Sequence, residues 1–117
     1  MITNNDNALP DIYDALYRFG INANTRAFFQ MTYAIRLVMD DPERLTMITK
    51  MLYPQVAQVY QTSWKNVERN LRRITRRAWR NNPELLRRMA RGGLLRCPTA
   101  SQFIAIVAAY LRTKDDT

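Results

Sequence analysis

The sequence predicts an all-α compact domain of about five to seven helices, and three observations carry that expectation. No segment alternates apolar and polar residues at the two-residue period of a strand. Apolar residues instead recur every three or four positions, interrupted by Asp41-Pro42, Asn82-Pro83, Gly92-Gly93 and Pro98. Read as a helix, the stretch W-K-N-V-E-R-N-L-R-R-I-T-R-R-A-W-R (64–80) places Trp64, Val67, Leu71, Ile74 and Ala78 within one arc of about 80°. A length of 117 residues suits one core.

The elements follow in order. Residues 1–10 read as a disordered lead-in to a helical domain over 11–113, with 114–117 as tail. Asp11 to Phe19 carries Ile12, Leu16 and Phe19 at helical spacing, and Gly20 suits a C-terminal stop. After the turn Ile21–Asn24, a helix from about Thr25 to Met39 offers Phe28, Phe29, Met31, Ala34, Ile35 and Val38 for burial. Pro42 disfavours the α conformation at Asp41 and ends it. Glu43 to Met51 reads as a short helix with Leu45, Ile48 and Met51 inward. Pro54 fits the first turn of another, Pro54 to Tyr60, with Val56, Ala57 and Tyr60 inward. Gln61-Thr62-Ser63 is a turn, in which Thr62 or Ser63 can cap the arginine-rich helix that runs to about Asn81. Glu84 to Ala90 is a short helix, Arg91-Gly92-Gly93 a turn, and Thr99 or Ser101 caps a final apolar helix through Phe103, Ile104, Ile106, Val107, Ala108 and Leu111.

Charge is the second layer. Residues 65–96 hold 11 of the 18 Lys and Arg but only two acids, Glu68 and Glu84, a local charge of +9. The remainder carries seven bases and eight acids, so the whole net charge of +8 resides in one block. A localised basic patch is the electrostatic footprint of nucleic-acid binding. With no histidine, the commonest general base and transition-metal ligand is missing. No nucleophile–base pair, Gly-rich phosphate loop or metal cluster is spaced for chemistry, so neither an enzyme nor a cofactor is expected. The single Cys97 cannot form an intrachain disulfide and reads as a small packed thiol, although the neighbouring Arg96 could depress its pKa. No apolar run approaches the ~20 residues of a membrane span, and a cytosolic, nucleoid-associated location is expected.

A short helix, a three-residue turn and a long basic helix form the layout of a helix-turn-helix over about 54–81. In that motif the first turns of the second helix enter the major groove, where Lys65, Asn66, Glu68, Arg69, Arg72 and Arg73 would stand. Arginine can bond guanine bidentately, asparagine suits adenine, and glutamate can accept from cytosine. The lone acid Glu68 contributes discrimination or orients Arg72, its i+4 neighbour. Arg76, Arg77 and Arg80 fall further along, towards phosphates. Trp64 and Trp79 can stack on bases, but the stripe favours packing for both.

The blocks F-G-I-N-A-N-T-R-A-F (19–28), I-T-K-M-L-Y-P-Q-V-A (48–57), V-E-R-N-L-R-R (67–73) with A-W (78–79), and P-T-A-S-Q-F-I-A-I-V-A (98–108) resemble the C-terminal effector domain of the stage-zero sporulation response regulator family. The resemblance spans roughly Leu16 to Arg112. It implies an all-helical domain that binds short promoter elements sequence-specifically, often as tandem copies with self-association, and that activates or represses transcription. By position it assigns the recognition helix to about Ser63 to Arg80 and base or phosphate contacts to Glu68, Arg69 and Arg72. Asn66 stands where the family typically has arginine, and Arg73 where it often has histidine. The loop between Leu86 and Pro98, which in the family helps polymerase contact or domain packing, is a few residues shorter. The family's regulators carry an N-terminal receiver domain, and this sequence has none.

The expected partner is therefore double-stranded DNA, with RNA polymerase as a possible second. The competing expectation is a stand-alone protein-interaction module, or a competitor lacking receiver control, motivated by Asn66 and the shortened loop. Duplex RNA is disfavoured because its deep, narrow major groove excludes a helix. A membrane surface is disfavoured because the apolar stripe of 64–80 is narrow and needed for the core.

Overall fold

The computed structural model describes residues 5–115. The α-helices are α1 (Asn5–Arg18), α2 (Arg26–Asp40), α3 (Tyr53–Tyr60), α4 (Trp64–Asn81), α5 (Pro83–Met89) and α6 (Ala100–Asp115). A 3₁₀ helix, Pro42–Met47, and a π-helix, Ile48–Leu52, join α2 to α3. Among the described residues there is no strand. Helix α2 is the centre of the molecule, packed against α1, α4 and α6. The Cα radius of gyration, 13.2 Å, is what one compact domain of this length should have, about 13 Å.

Local chemistry explains most helix ends. Thr25 caps α2 by accepting from the Phe28 amide at 3.1 Å, and Asp41, extended at φ −149° before Pro42, closes it. Arg44 and Arg112 donate to the carbonyls of Leu37 and Met39, placing cations on the negative end of α2. Ser63 caps α4 through the Asn66 amide at 3.1 Å. Asn82 caps α5 through the Leu85 amide at 3.2 Å. Thr99 and Gln102 exchange two bonds, 2.9 and 3.1 Å, in a capping box that opens α6.

Three expectations are corrected. The lead-in is largely helical, because α1 begins at Asn5; residues 1–4 lie outside the described residues. Ala8, 8% exposed, extends the stripe of Ile12, Ala15, Leu16 and Phe19 by one more turn, and Pro10 is accommodated near the helix start, inside it. The tail is helical through Asp115, with 116–117 outside the described residues. The helix expected over Glu43–Met51 is a 3₁₀ turn running into a π turn. That change of winding turns Met51 outward, at 52% exposed, and buries Leu52 completely.

The core is one cluster in which Phe19 of α1 meets Phe103 of α6 at 5.5 Å between ring centroids. Helix α4 contributes Val67, Leu71, Ile74 and Ala78, each at most 4% exposed. Its far end is pinned to α1: Asn81 and Asn82 donate to the carbonyls of Phe19 and Arg18. Gly20, at φ +78°, makes this possible, since a Cβ there would lie 2.8 Å from Asn81 Nδ2. Both ends of α4 are thereby fixed, one by its cap and one by α1.

Candidate nucleic-acid interface

The outward face of α4 is built by subtraction. Its buried residues are Val67, Asn70, Leu71, Ile74, Thr75 and Ala78, an arc of about 140° at 100° per residue. Thr75 satisfies its hydroxyl by donating to the Leu71 carbonyl at 2.8 Å, so it enters the core without an orphaned polar group. What remains outside is Lys65, Arg69, Arg72, Arg73, Arg76, Arg77 and Arg80, all exposed, with Glu68 and Asn66 half-buried at the edges. The structure thus brings the nine sequence-assigned residues onto one rigid helix. Seven cations on one face repel one another unless anions approach, so the face is electrostatically primed for a polyanion.

The turn before it is tight. Gln61 takes the left-handed conformation, φ 54° and ψ 51°, and its amide bonds back to α3, as an αL helix terminator does. Arg26, at the start of α2, donates to the Tyr60 carbonyl and lies over the Tyr60 ring at 5.9 Å. It ties the last turn of α3 to the central helix, a link that no local periodicity reveals.

Individual side chains on the face differ. Arg72 and Glu68 form an i,i+4 ion pair at 3.7 Å across one helical turn. Both are solvent-accessible, so this pair adds little to stability. Asn66 donates one Nδ2 hydrogen to Thr62 Oγ1 at 2.7 Å, which restrains the side chain and leaves its second N–H and its Oδ1 for other partners. Arg73 donates to Asn70 Oδ1 at 3.2 Å. Trp64 corrects the stripe reading: it overhangs the helix start, 37% exposed, with the Lys65 ammonium over its ring at 5.7 Å. Trp79 does pack against the core and carries Arg87 on its ring at 5.0 Å. Arg87 also bonds Glu84 and the Leu94 carbonyl, so this cation of the basic block braces the loop after α5.

Beside the face lies a cleft of about 630 Å³ lined by Tyr53, Glu68, Arg72, Arg76 and the segment Cys97–Ser101. Cys97 is half-buried, and burial pushes its thiol pKa up against the opposing pull of Arg76, as expected of a packed thiol. Burial, helped by the Glu68 charge and opposed by Arg72, pushes the Tyr53 phenol up to about 12. Its folded pKa therefore lies above the 10.0 of the unfolded chain, so its contribution to stability is intact below pH 10 and is lost as pH rises through 12. Two units correspond to about 2–3 kcal/mol. Alkaline unfolding of a Tyr53→Phe variant is expected to lack that component; identical pH–stability curves above pH 10 would contradict it.

Among the described residues there is no group of three potential metal ligands, and no helix is long and apolar enough to cross a membrane. Residues 12–111 match the family described as "Sporulation initiation factor Spo0A C terminal". With most of its length matched, the chain belongs to that family, a family of DNA-binding sporulation regulator domains and not an enzyme class.

Proposed function

We propose that this member of the sporulation initiation factor family reads double-stranded DNA by lodging α4 in the major groove, with α3 and the Gln61–Ser63 turn as the first half of a helix-turn-helix. One observation carries the reading. Seven exposed cations line the outward face of a helix that is capped at its start by Ser63 and pinned to α1 at its end. The first three turns, with Lys65, Asn66, Glu68, Arg69, Arg72 and Arg73, meet base edges and the phosphates that flank them; Arg76, Arg77 and Arg80 meet phosphates alone. Arg72, paired with Glu68, suits guanine O6 and N7. Asn66, with one amide N–H engaged by Thr62, keeps its second N–H and its Oδ1 and suits adenine. Side-by-side occupancy of tandem sites, and contact with RNA polymerase through the loop carrying Leu95, 90% exposed, complete the proposal.

The test is binding of variants to a duplex enriched from a randomised pool and to a scrambled duplex. Arg69→Ala and Arg72→Ala are each expected to lose about 1–3 kcal/mol on the enriched duplex and clearly less on the scrambled one. Equal losses on both would reduce the two arginines to phosphate contacts and remove them from base reading.

A further inference from the structure

We infer that Gln30 of α2 and Asn70 of α4 form a buried amide relay that aims the Arg73 guanidinium, making two core residues positioning residues for base discrimination. The inference rests on the proposed role of α4 as the reading helix. Three contacts define the relay. Arg73 Nη2 donates to Asn70 Oδ1 at 3.2 Å, and Asn70 Nδ2 donates to Gln30 Oε1 at 2.9 Å. Gln30 is completely buried, and its Nε2 has no hydrogen-bond partner.

The stranded nitrogen explains the direction of the chain. A guanidinium has donors only, so Asn70 must present its oxygen to Arg73. That turns Asn70 Nδ2 inward, where Gln30 must answer with its own oxygen, leaving the Gln30 NH₂ against the core. Reversing both amides would set Asn70 Nδ2 against the guanidinium, donor to donor. A buried amide without an acceptor is costly, and only hydrocarbon side chains at both positions 30 and 70 would remove the penalty. The arrangement therefore carries an unmet hydrogen bond in the core whose counterpart is a fixed cation on the surface.

The position of that cation gives the relay its use. Arg73 lies on the third turn of α4 beside Arg72, which pairs separately with Glu68. These two are the arginines of the face that a side chain of α4 itself holds. Within the like-charged row Arg69–Arg73–Arg77, spaced at i+4, an unheld guanidinium would swing away from its neighbours. A guanidinium held before contact gives up less side-chain freedom on docking and meets one base in one geometry. The relay also links the central helix to the reading face, so a residue with no access to DNA shapes what is read.

The experiment compares wild type, Arg73→Ala, Asn70→Leu and Gln30→Met, each shown to fold by circular dichroism and melting. Each is taken through enrichment from a randomised duplex pool, and guanidinium rotation of Arg73 is followed by NMR in the free protein. Gln30→Met keeps the volume and exchanges the stranded Gln30 nitrogen for an unpaired Asn70 Nδ2, so its melting temperature should stay near wild type and is read before binding is compared. Asn70→Leu and Gln30→Met should relax the same base position as Arg73→Ala and lower the enriched-to-scrambled affinity ratio roughly three- to tenfold. Gln30→Met should add nothing in the Arg73→Ala background, and Arg73 rotation should quicken in Asn70→Leu. If Arg73→Ala relaxes a base position while the two buried variants leave it intact, the relay is wrong and the reading helix stands. If Arg73→Ala leaves base preference unchanged, the reading role of Arg73 fails and the relay's discriminating role with it. Unchanged Arg73 rotation in Asn70→Leu overturns the relay in the free protein, whatever the DNA shows.

Discussion

Raising salt from about 50 to about 200 mM is expected to weaken DNA binding by this chain about 10³- to 10⁴-fold. The origin is counterion release. Lys65, Arg69, Arg72, Arg73, Arg76, Arg77 and Arg80 are all exposed on one helix face, and neutralising six or seven phosphates gives a slope of log K against log salt of about −5 to −6. The concentration of charge is what makes the slope steep: the chain outside residues 65–96 is close to neutral and contributes almost nothing. Fluorescence anisotropy at four salt concentrations reads the slope directly. Removing Arg76 or Arg80 should reduce its magnitude by about one on enriched and scrambled duplexes alike. A wild-type slope shallower than about −3 would mean that most of these cations never reach a phosphate.

Leu71→Ala is expected to destabilise the domain by about 2–5 kcal/mol. Leu71 is completely buried, and its neighbours are Asn70, which holds Arg73, and Arg72, which pairs with Glu68. The cavity would open under the middle of the reading face, so melting temperature and sequence discrimination should fall together. In a domain whose whole stability is of order 5–15 kcal/mol, the loss is a large fraction. Arg69→Ala, one helix face away, should leave melting nearly unchanged while weakening DNA binding. Thermal unfolding followed by circular dichroism separates the two. If Leu71→Ala melts with the wild type, the assignment of the α4 stripe to the core fails.

The parts of the fold that were legible are those governed by local chemistry. Pro42 and Pro83 mark real boundaries, and Thr25, Ser63 and Thr99 are real caps, because each acts through atoms within three residues. The stripe Val67, Leu71, Ile74 and Ala78 was legible because burial on one face imposes the helical period. Trp64 misled because periodicity assigns a face but does not say where the supporting core ends, and α4 begins beyond that edge. Met51 misled for a different reason: a π turn rotates the residues after it relative to an α-helical register. The first helix extends to Asn5 because packing of Ala8 on the core supports an opening turn whose polar sequence carries no helical period of its own, and proline is accepted in such a turn.

At the site, the nine residues of the α4 face were visible in charge and spacing, but their partners were not. Thr62 restrains Asn66 from the preceding turn, and the half-buried asparagine is less free than a surface reading suggests. Asn70 is polar and flanked by Arg69 and Leu71, and nothing in its sequence neighbourhood names a buried partner. Its partner Gln30 lies 40 positions away, in a helix whose other inward residues are mostly apolar. Only the packing of α2 on α4 brings the two amides together. Arg87 shows the converse, a cation of the basic block that serves the fold through Trp79, Glu84 and the Leu94 carbonyl.

The most direct measurement is the affinity of the full chain for a duplex enriched from a randomised pool against a scrambled duplex of the same composition, at about 50 and about 200 mM salt. If α4 reads base edges, enrichment converges on one motif, and the preference for it, of the order of 10³ or more for specific readers, persists or widens as salt rises and non-specific binding falls away. Enrichment without a motif, with equal and equally salt-sensitive binding to both duplexes, would show that the arginine face holds phosphates alone and that α4 does not read sequence.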